Sequence, residues 1–156
     1  MLYTIYCDLD GVLVDFEKGY YELTGIDTKQ FVKGDAAFWA PINAEGPEWW
    51  ASLDWMPDGH ILWSYISKYK PYILSSPSRS TTSKVGKRMW VKIHLLNQYR
   101  ELLLYPRSQK QKFAGKNHIL IDDIESTIKE WNNRGGIGIH HTSAANTIKE
   151  LKKLGL

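Results

Sequence analysis

A single cysteine, Cys7, stands among the 156 residues, so the chain forms no internal disulfide and a reducing cytoplasm is its expected compartment. No apolar stretch approaches the roughly 18 residues that a membrane span needs. Asp8 interrupts the first apolar run, so a signal-peptide layout is not expected there either. The five histidines, His60, His94, His118, His140 and His141, lack any spacing suited to a two-metal centre; His140-His141 is the single adjacent pair. No Gly-x-x-x-x-Gly-Lys loop is present, which excludes an NTPase of that type. A cysteine phosphatase needs an arginine six residues after its thiolate. Leu13 stands there instead, so Cys7 reads as a buried strand residue. Internal repeats and low-complexity segments are absent as well.

What remains is a chain long enough for one domain with a full core, 43% hydrophobic and 24% charged, as soluble globular proteins are. Its net charge of +3 conceals an asymmetry. Residues 79–116 hold ten of the twenty Lys and Arg and one acid, Glu101. That window carries +9 while the rest of the chain carries −6. The asymmetry points to an anionic ligand, either a phosphorylated small molecule or nucleic acid; the alternative reading is a solvated helix face.

Five short apolar runs read as strands: Tyr3–Cys7, Pro71–Ser75, Glu101–Tyr105, His118–Ile121 and Gly136–His140. Helical spacing of apolar residues appears over Val85–Tyr99 and Ile124–Asn133. A last helix is expected from a Ser143 cap to Leu154, with Gly155 just past it. Alternating strands and helices predict a Rossmann-like α/β fold, a parallel five-stranded sheet flanked by helices. The first and second strands are too far apart for a simple crossover. Residues 16–70 are therefore expected to be a small, mostly helical cap inserted after the first strand, with 1–15 and 71–156 as the core. Five of the seven tryptophans lie in that insertion: Trp39, Trp49, Trp50, Trp55 and Trp63. Such rings can form the core of a subdomain poor in aliphatics. They can also stack on a planar ligand such as a nucleobase, and both roles can hold at once.

The chemistry concentrates where strands end. The first closes in Asp8-Leu9-Asp10-Gly11 and the fourth in Asp122-Asp123. Parallel strands expose their C-terminal ends along one edge, where ligands bind. Two carboxylates about 4 Å apart repel by roughly 4 kcal/mol at an effective dielectric near 20. A fold relieves this by protonating one group or by binding a hard cation, of which Mg²⁺ suits carboxylates well. Asp8 is placed to attack phosphorus and form an aspartyl-phosphate. Asp10, two residues on, faces the same side while the chain stays extended, and can protonate the leaving alcohol and later deprotonate water. Gly11 permits the sharp turn that presents N–H groups to phosphate. Asp122 completes the cation's ligands, with Asp123 beside it holding a metal-bound water. Ser75 offers a hydroxyl and an N–H to phosphate. A lysine, Lys110 or Lys112, balances the remaining charge.

In this order the motifs resemble the haloacid dehalogenase (HAD) superfamily of Mg²⁺-dependent phosphatases. Asp8-Leu9-Asp10-Gly11-Val12-Leu13 matches the first motif, Ser75 the second, a lysine the third and Asp122-Asp123 the fourth. Within it, Ser75-Ser76-Pro77-Ser78-Arg79, Lys87-Arg88-Met89-Trp90-Val91 and Leu120-Ile121-Asp122-Asp123 are similar to segments of the 5′(3′)-deoxyribonucleotidases and their small bacterial and phage relatives. The resemblance implies a HAD-like core whose cap inserts after the first motif. It implies Asp8 as nucleophile, Asp10 as acid and base, and Ser75, Ser76 and a lysine on phosphate. Lys110, in Lys-x-x-Phe-Ala, is preferred for that lysine over Lys112. Mg²⁺ would lie on Asp8, the Asp10 carbonyl and Asp122, with Asp123 beyond. Arg79, Lys87, Trp39, Trp49 and Trp50 are the candidate substrate contacts. The implied substrate is a nucleoside monophosphate, with no membrane partner. Arg79 stands where that family has lysine and Ser75 where it has threonine. Other readings are a polynucleotide 3′-phosphatase, another small-molecule phosphatase and a receiver-like phospho-switch. Receivers, though, have no large insertion after the first strand and need no equivalent of Asp10.

Overall fold

The computed structural model describes residues 2–32 and 35–156. Its centre is one five-stranded, wholly parallel sheet in the order β3-β2-β1-β4-β5. The strands are β1 (Thr4–Cys7), β2 (Tyr72–Ser75), β3 (Leu102–Leu104), β4 (His118–Asp122) and β5 (Ile137–His140). Strands covered on both faces read as near-continuous apolar runs, and Ile-Leu-Ile in β4 is of that kind. Alternate residues of β1 part to opposite sides. Ile5 and Cys7 join the larger core, Tyr6 the smaller. Each such buried Ile or Leu contributes about 1.5–3 kcal/mol through burial.

Helices cover both faces. The larger core takes Leu62 and Ile66 from α4 (Gly59–Ile66), Trp90 and Val91 from α5 (Thr81–His94) and Leu151 from α7 (Ala144–Lys153). The smaller core takes Ile128 and Trp131 from α6 (Glu125–Asn133). Helix α5 begins four residues before the expected Val85 because the Ser80 side chain caps it, accepting from Thr82 N–H. It ends before Tyr99, as Leu96 adopts a left-handed φ of 54°. Helix α7 has the expected Ser143 cap, which accepts from Asn146 N–H.

Residues 16–70 divide their packing. Helices α1 (Phe16–Thr24), α2 (Ala36–Asn43) and α3 (Pro47–Ala51) gather around a ring cluster in which Tyr20 stacks on Phe38 at 4.5 Å. Helix α4 lies instead against α7, on the sheet. The α1–α3 group is anchored through α3, which packs closely on α5. Gly86 makes this possible, since a Cβ there would fall against Trp50 Cβ and 2.5 Å from the Pro47 carbonyl oxygen. Trp90 adds a hydrogen bond from its indole N–H to the Leu53 carbonyl at 2.8 Å. No helix among the described residues is long and apolar enough to cross a membrane.

Candidate active site

The strand order reverses at β1, which has β2 on one side and β4 on the other. In open α/β sheets the crevice above such a point is where ligands bind. Register does the rest. Cys7 pairs with Ile121, so the next residues, Asp8 and Asp122, emerge side by side. After Asp8 the chain turns tightly. The N–H groups of Val12, Leu13 and Val14 all donate to the Leu9 carbonyl, at 3.0, 2.8 and 2.9 Å. Gly11 takes φ = +82° in this turn, and a Cβ there would collide with the Asp123 carboxylate.

Asp8, Asp122 and Asp123 each place a carboxylate oxygen within 4.8 Å of the others. Lys110 enters from the 3₁₀ segment Arg107–Phe113 and donates to Asp8 Oδ1 at 3.0 Å and Asp122 Oδ2 at 2.8 Å. Asp122 Oδ1 also accepts from Ile124 N–H at 2.9 Å. Burial and the neighbouring Asp122 push the Asp8 carboxyl above its ordinary range, against the opposing pull of Lys110. Asp123 is pushed up to about 8, first by burial and then by Asp8 and Asp122. Burial acts to lower Lys110, but the two carboxylates outweigh it and hold the ammonium above its usual value. With all three ionised, the carboxylates against one ammonium would leave two negative charges in a buried space, which is why Asp123 holds its proton to about 8 when no cation is bound. Asp123 Oδ1 is buried there without a hydrogen-bond partner among the described residues. That donor set, hard oxygens with an unspent lone pair, fits a divalent cation.

Asp10 does not join this cluster with its side chain. Its Oδ2 accepts from Lys87 Nζ at 2.8 Å, and the same ammonium donates to Ser75 Oγ at 3.0 Å. Lys87 is only 3% exposed and lies 5.2 Å from the Trp50 ring centroid. Ser76 carries a buried hydroxyl with no hydrogen-bond partner among the described residues.

Two adjoining cavities open over these groups. The inner one, about 470 Å³, is lined by Asp8, Asp10, Ser76, Lys110 and Asp123 among others. The outer one, about 850 Å³, is lined by Phe31, Phe38, Trp39 and Trp50 as well as Pro77 and Glu130. Asp10, Phe16, Thr28, Ser76 and Arg107 border both.

Lys110, the preferred lysine, reaches the carboxylates, and the exposed Lys112 does not. Other candidate residues lie in different places. Trp39 and Trp50 face the outer cavity, whereas Trp49 lines a separate depression with Gly19 and Leu53. Arg79 is exposed and borders neither cavity, and Lys87 borders neither because it is buried beneath Asp10 and Ser75. The histidine pair separates: His141 bonds Thr147 Oγ1 at 2.7 Å inside the core, while His140 meets the Asp123 carbonyl at 3.0 Å. Arg107, marked in the sequence only as one of the ten basic residues of the 79–116 window, borders both cavities.

No protein-family model matches the chain, and no curated protein matches it by sequence. Solved structures do. A hydrolase from Streptococcus pneumoniae TIGR4 is 15% identical with a TM-score of 0.59, the match covering 97% of this chain and 100% of that one. A HAD family enzyme from Bacteroides thetaiotaomicron, solved with magnesium and inorganic phosphate, is 17% identical with a TM-score of 0.54, covering 92% and 96%. A dehalogenase is 11% identical with a TM-score of 0.52, covering 88% and 83%. At these identities the likeness is one of architecture, and the chain has the fold of the HAD-type hydrolases.

Proposed function

We propose that the chain is a Mg²⁺-dependent phosphomonoesterase that hydrolyses ribo- or deoxyribonucleoside monophosphates through an aspartyl-phosphate on Asp8. The observation that carries this reading is the juxtaposition of Asp8, Asp122, Asp123 and Lys110 on the floor of a cavity that Asp10 overlooks. The magnesium and phosphate held by a protein of the same fold support it. Asp8, the Asp10 carbonyl and Asp122 would hold the ion, with Asp123 beyond them, and the ion would supply charge neutralisation on the phosphate oxygens when bound.

The residues themselves divide the work. Lys110 and the Ser76 hydroxyl bind phosphate oxygens, and Ser75 supports them from beneath. A carboxylate oxygen of Asp8 bonds to phosphorus as the bond to the leaving alcohol breaks, and Asp10 delivers the proton to that alcohol. Asp10 then takes a proton from the water that releases inorganic phosphate. We take α1 to α3, residues 16–54, as the cap. Its Trp39 and Phe38 edge lies over the outer cavity, where a nucleobase can stack.

Purified protein with Mg²⁺, offered nucleoside monophosphates, sugar phosphates and a 3′-phosphorylated DNA end, tests the proposal. Release of phosphate chiefly from mononucleotides is expected. Preference for the DNA end, with binding that falls steeply in salt, replaces the nucleotide reading with the polynucleotide one. A long-lived phosphoprotein without turnover replaces both with a phospho-switch.

A further inference from the structure

The resemblance places Lys87 among the substrate contacts, yet its geometry points elsewhere. Lys87 borders neither cavity, while its partner Asp10 borders both. The Lys87 side chain is 3% exposed, and its ammonium donates to Asp10 Oδ2 and Ser75 Oγ and sits against the face of Trp50 from the cap. We propose that Lys87 is a positioning residue for the proton donor Asp10, and that it ties that donor to the cap through Trp50. This rests on the phosphomonoesterase reading above.

Three constraints make the arrangement stiff. The Lys87 stem is buried in α5, so the ammonium cannot swing toward solvent. Trp50 is fixed because α3 meets α5 at Gly86, one residue from Lys87. A cation over an indole face gains energy in place of lost hydration. Asp10, at 33% side-chain exposure, would otherwise be free to change rotamer. Lys87 holds Oδ2, and Oδ1 accepts no side-chain hydrogen bond among the described residues. As the P–O bond to the leaving alcohol breaks and the Asp8–phosphorus bond forms, the proton passes from the Asp10 carboxyl to the alcohol oxygen. Misplacing that carboxyl by an ångström forfeits much of its effect.

The test is leaving-group dependence. Wild type, Lys87→Met and Asp10→Asn are compared with Mg²⁺ on a deoxyribonucleoside 5′-monophosphate, whose alkoxide needs a proton. The second substrate is p-nitrophenyl phosphate, whose phenolate leaves unaided. The first-turnover rate of alcohol or phenol release is measured. Lys87→Met is expected to slow nucleoside release about a hundredfold, within the range general acids supply, and p-nitrophenol release less than about threefold. KM should hold, and adding Lys87→Met to Asp10→Asn should cost nothing further. An equal loss on both substrates, or a raised KM with unchanged kcat, overturns the proposal in favour of a structural or substrate-binding lysine. If Lys87→Met melts below the assay temperature, Lys87→Gln, which is shorter and uncharged and so releases Asp10, carries the same comparison. Wild type inactive on both esters refutes the phosphomonoesterase reading instead.

Discussion

Asp123→Asn should stabilise the metal-free protein, although it removes a residue of the candidate active site. Asp123 titrates at about 8 instead of the ordinary 3.8, because it is buried beside Asp8 and Asp122. Between those two values the folded state keeps a proton that the unfolded chain has released. Stability therefore falls as pH rises through that interval and levels off above about 8. At pH 7 the chain is about three units above the unfolded value, and each unit is worth about 1.4 kcal/mol, so the carboxyl costs on the order of 4 kcal/mol. Asparagine fills the same space and never ionises. For a domain of this length one kcal/mol moves Tm by about 2–4 °C. Thermal unfolding in chelator should thus show Asp123→Asn melting about 10 °C above wild type at pH 7, with the gap closing toward pH 4. Saturating Mg²⁺ should narrow or reverse the order, since an ion at a hundred times its Kd adds about 2.7 kcal/mol to the form that binds it. A gap that does not change with pH, or a variant less stable than wild type at pH 7 in chelator, refutes the reasoning.

Further outcomes follow from the same geometry. Lys110→Met strips Asp8 and Asp122 of their shared cation, and leaving buried charge uncompensated typically costs about 3–5 kcal/mol, readable by urea unfolding in chelator. Lys112→Ala should leave both stability and turnover near wild type. Gly86→Ala drives a methyl into Trp50 and the Pro47 carbonyl, an overpacking expected to cost about 1–3 kcal/mol and to be seen as a lower urea midpoint. Trp39→Ala should raise KM for mononucleotides about tenfold, the loss of one stacking contact, whereas Trp49→Ala should leave KM unchanged.

The sheet was legible because its strands are short apolar runs closed by turn residues, and the site because two of those runs end in paired aspartates. What stayed hidden depends on rotation about helices. Lys110 and Lys112 differ by two residues in a 3₁₀ run of about three residues per turn, so they point in different directions and one enters the site. Trp49 and Trp50 are neighbours on α3 and part in the same way. Lys87 read as a substrate contact because its motif carries no sign that Asp10 and Ser75 would fold over it. Helix α4 packs against α7, a pairing of apolar faces that only three dimensions display. Arg107 belongs with these, since only the joining of two cavities gives it a place.

The proposed reaction begins with Asp8 as a covalent nucleophile, which acid-quenched mass spectrometry can read out. Protein mixed with Mg²⁺ and a hydrolysable mononucleotide should carry one phosphoryl group on the peptide containing Asp8, lost on further incubation as phosphate is released. Asp8→Asn should fold, acquire no label and release no phosphate. Undiminished turnover in Asp8→Asn, or a label on any other residue, rules out Asp8 as the nucleophile.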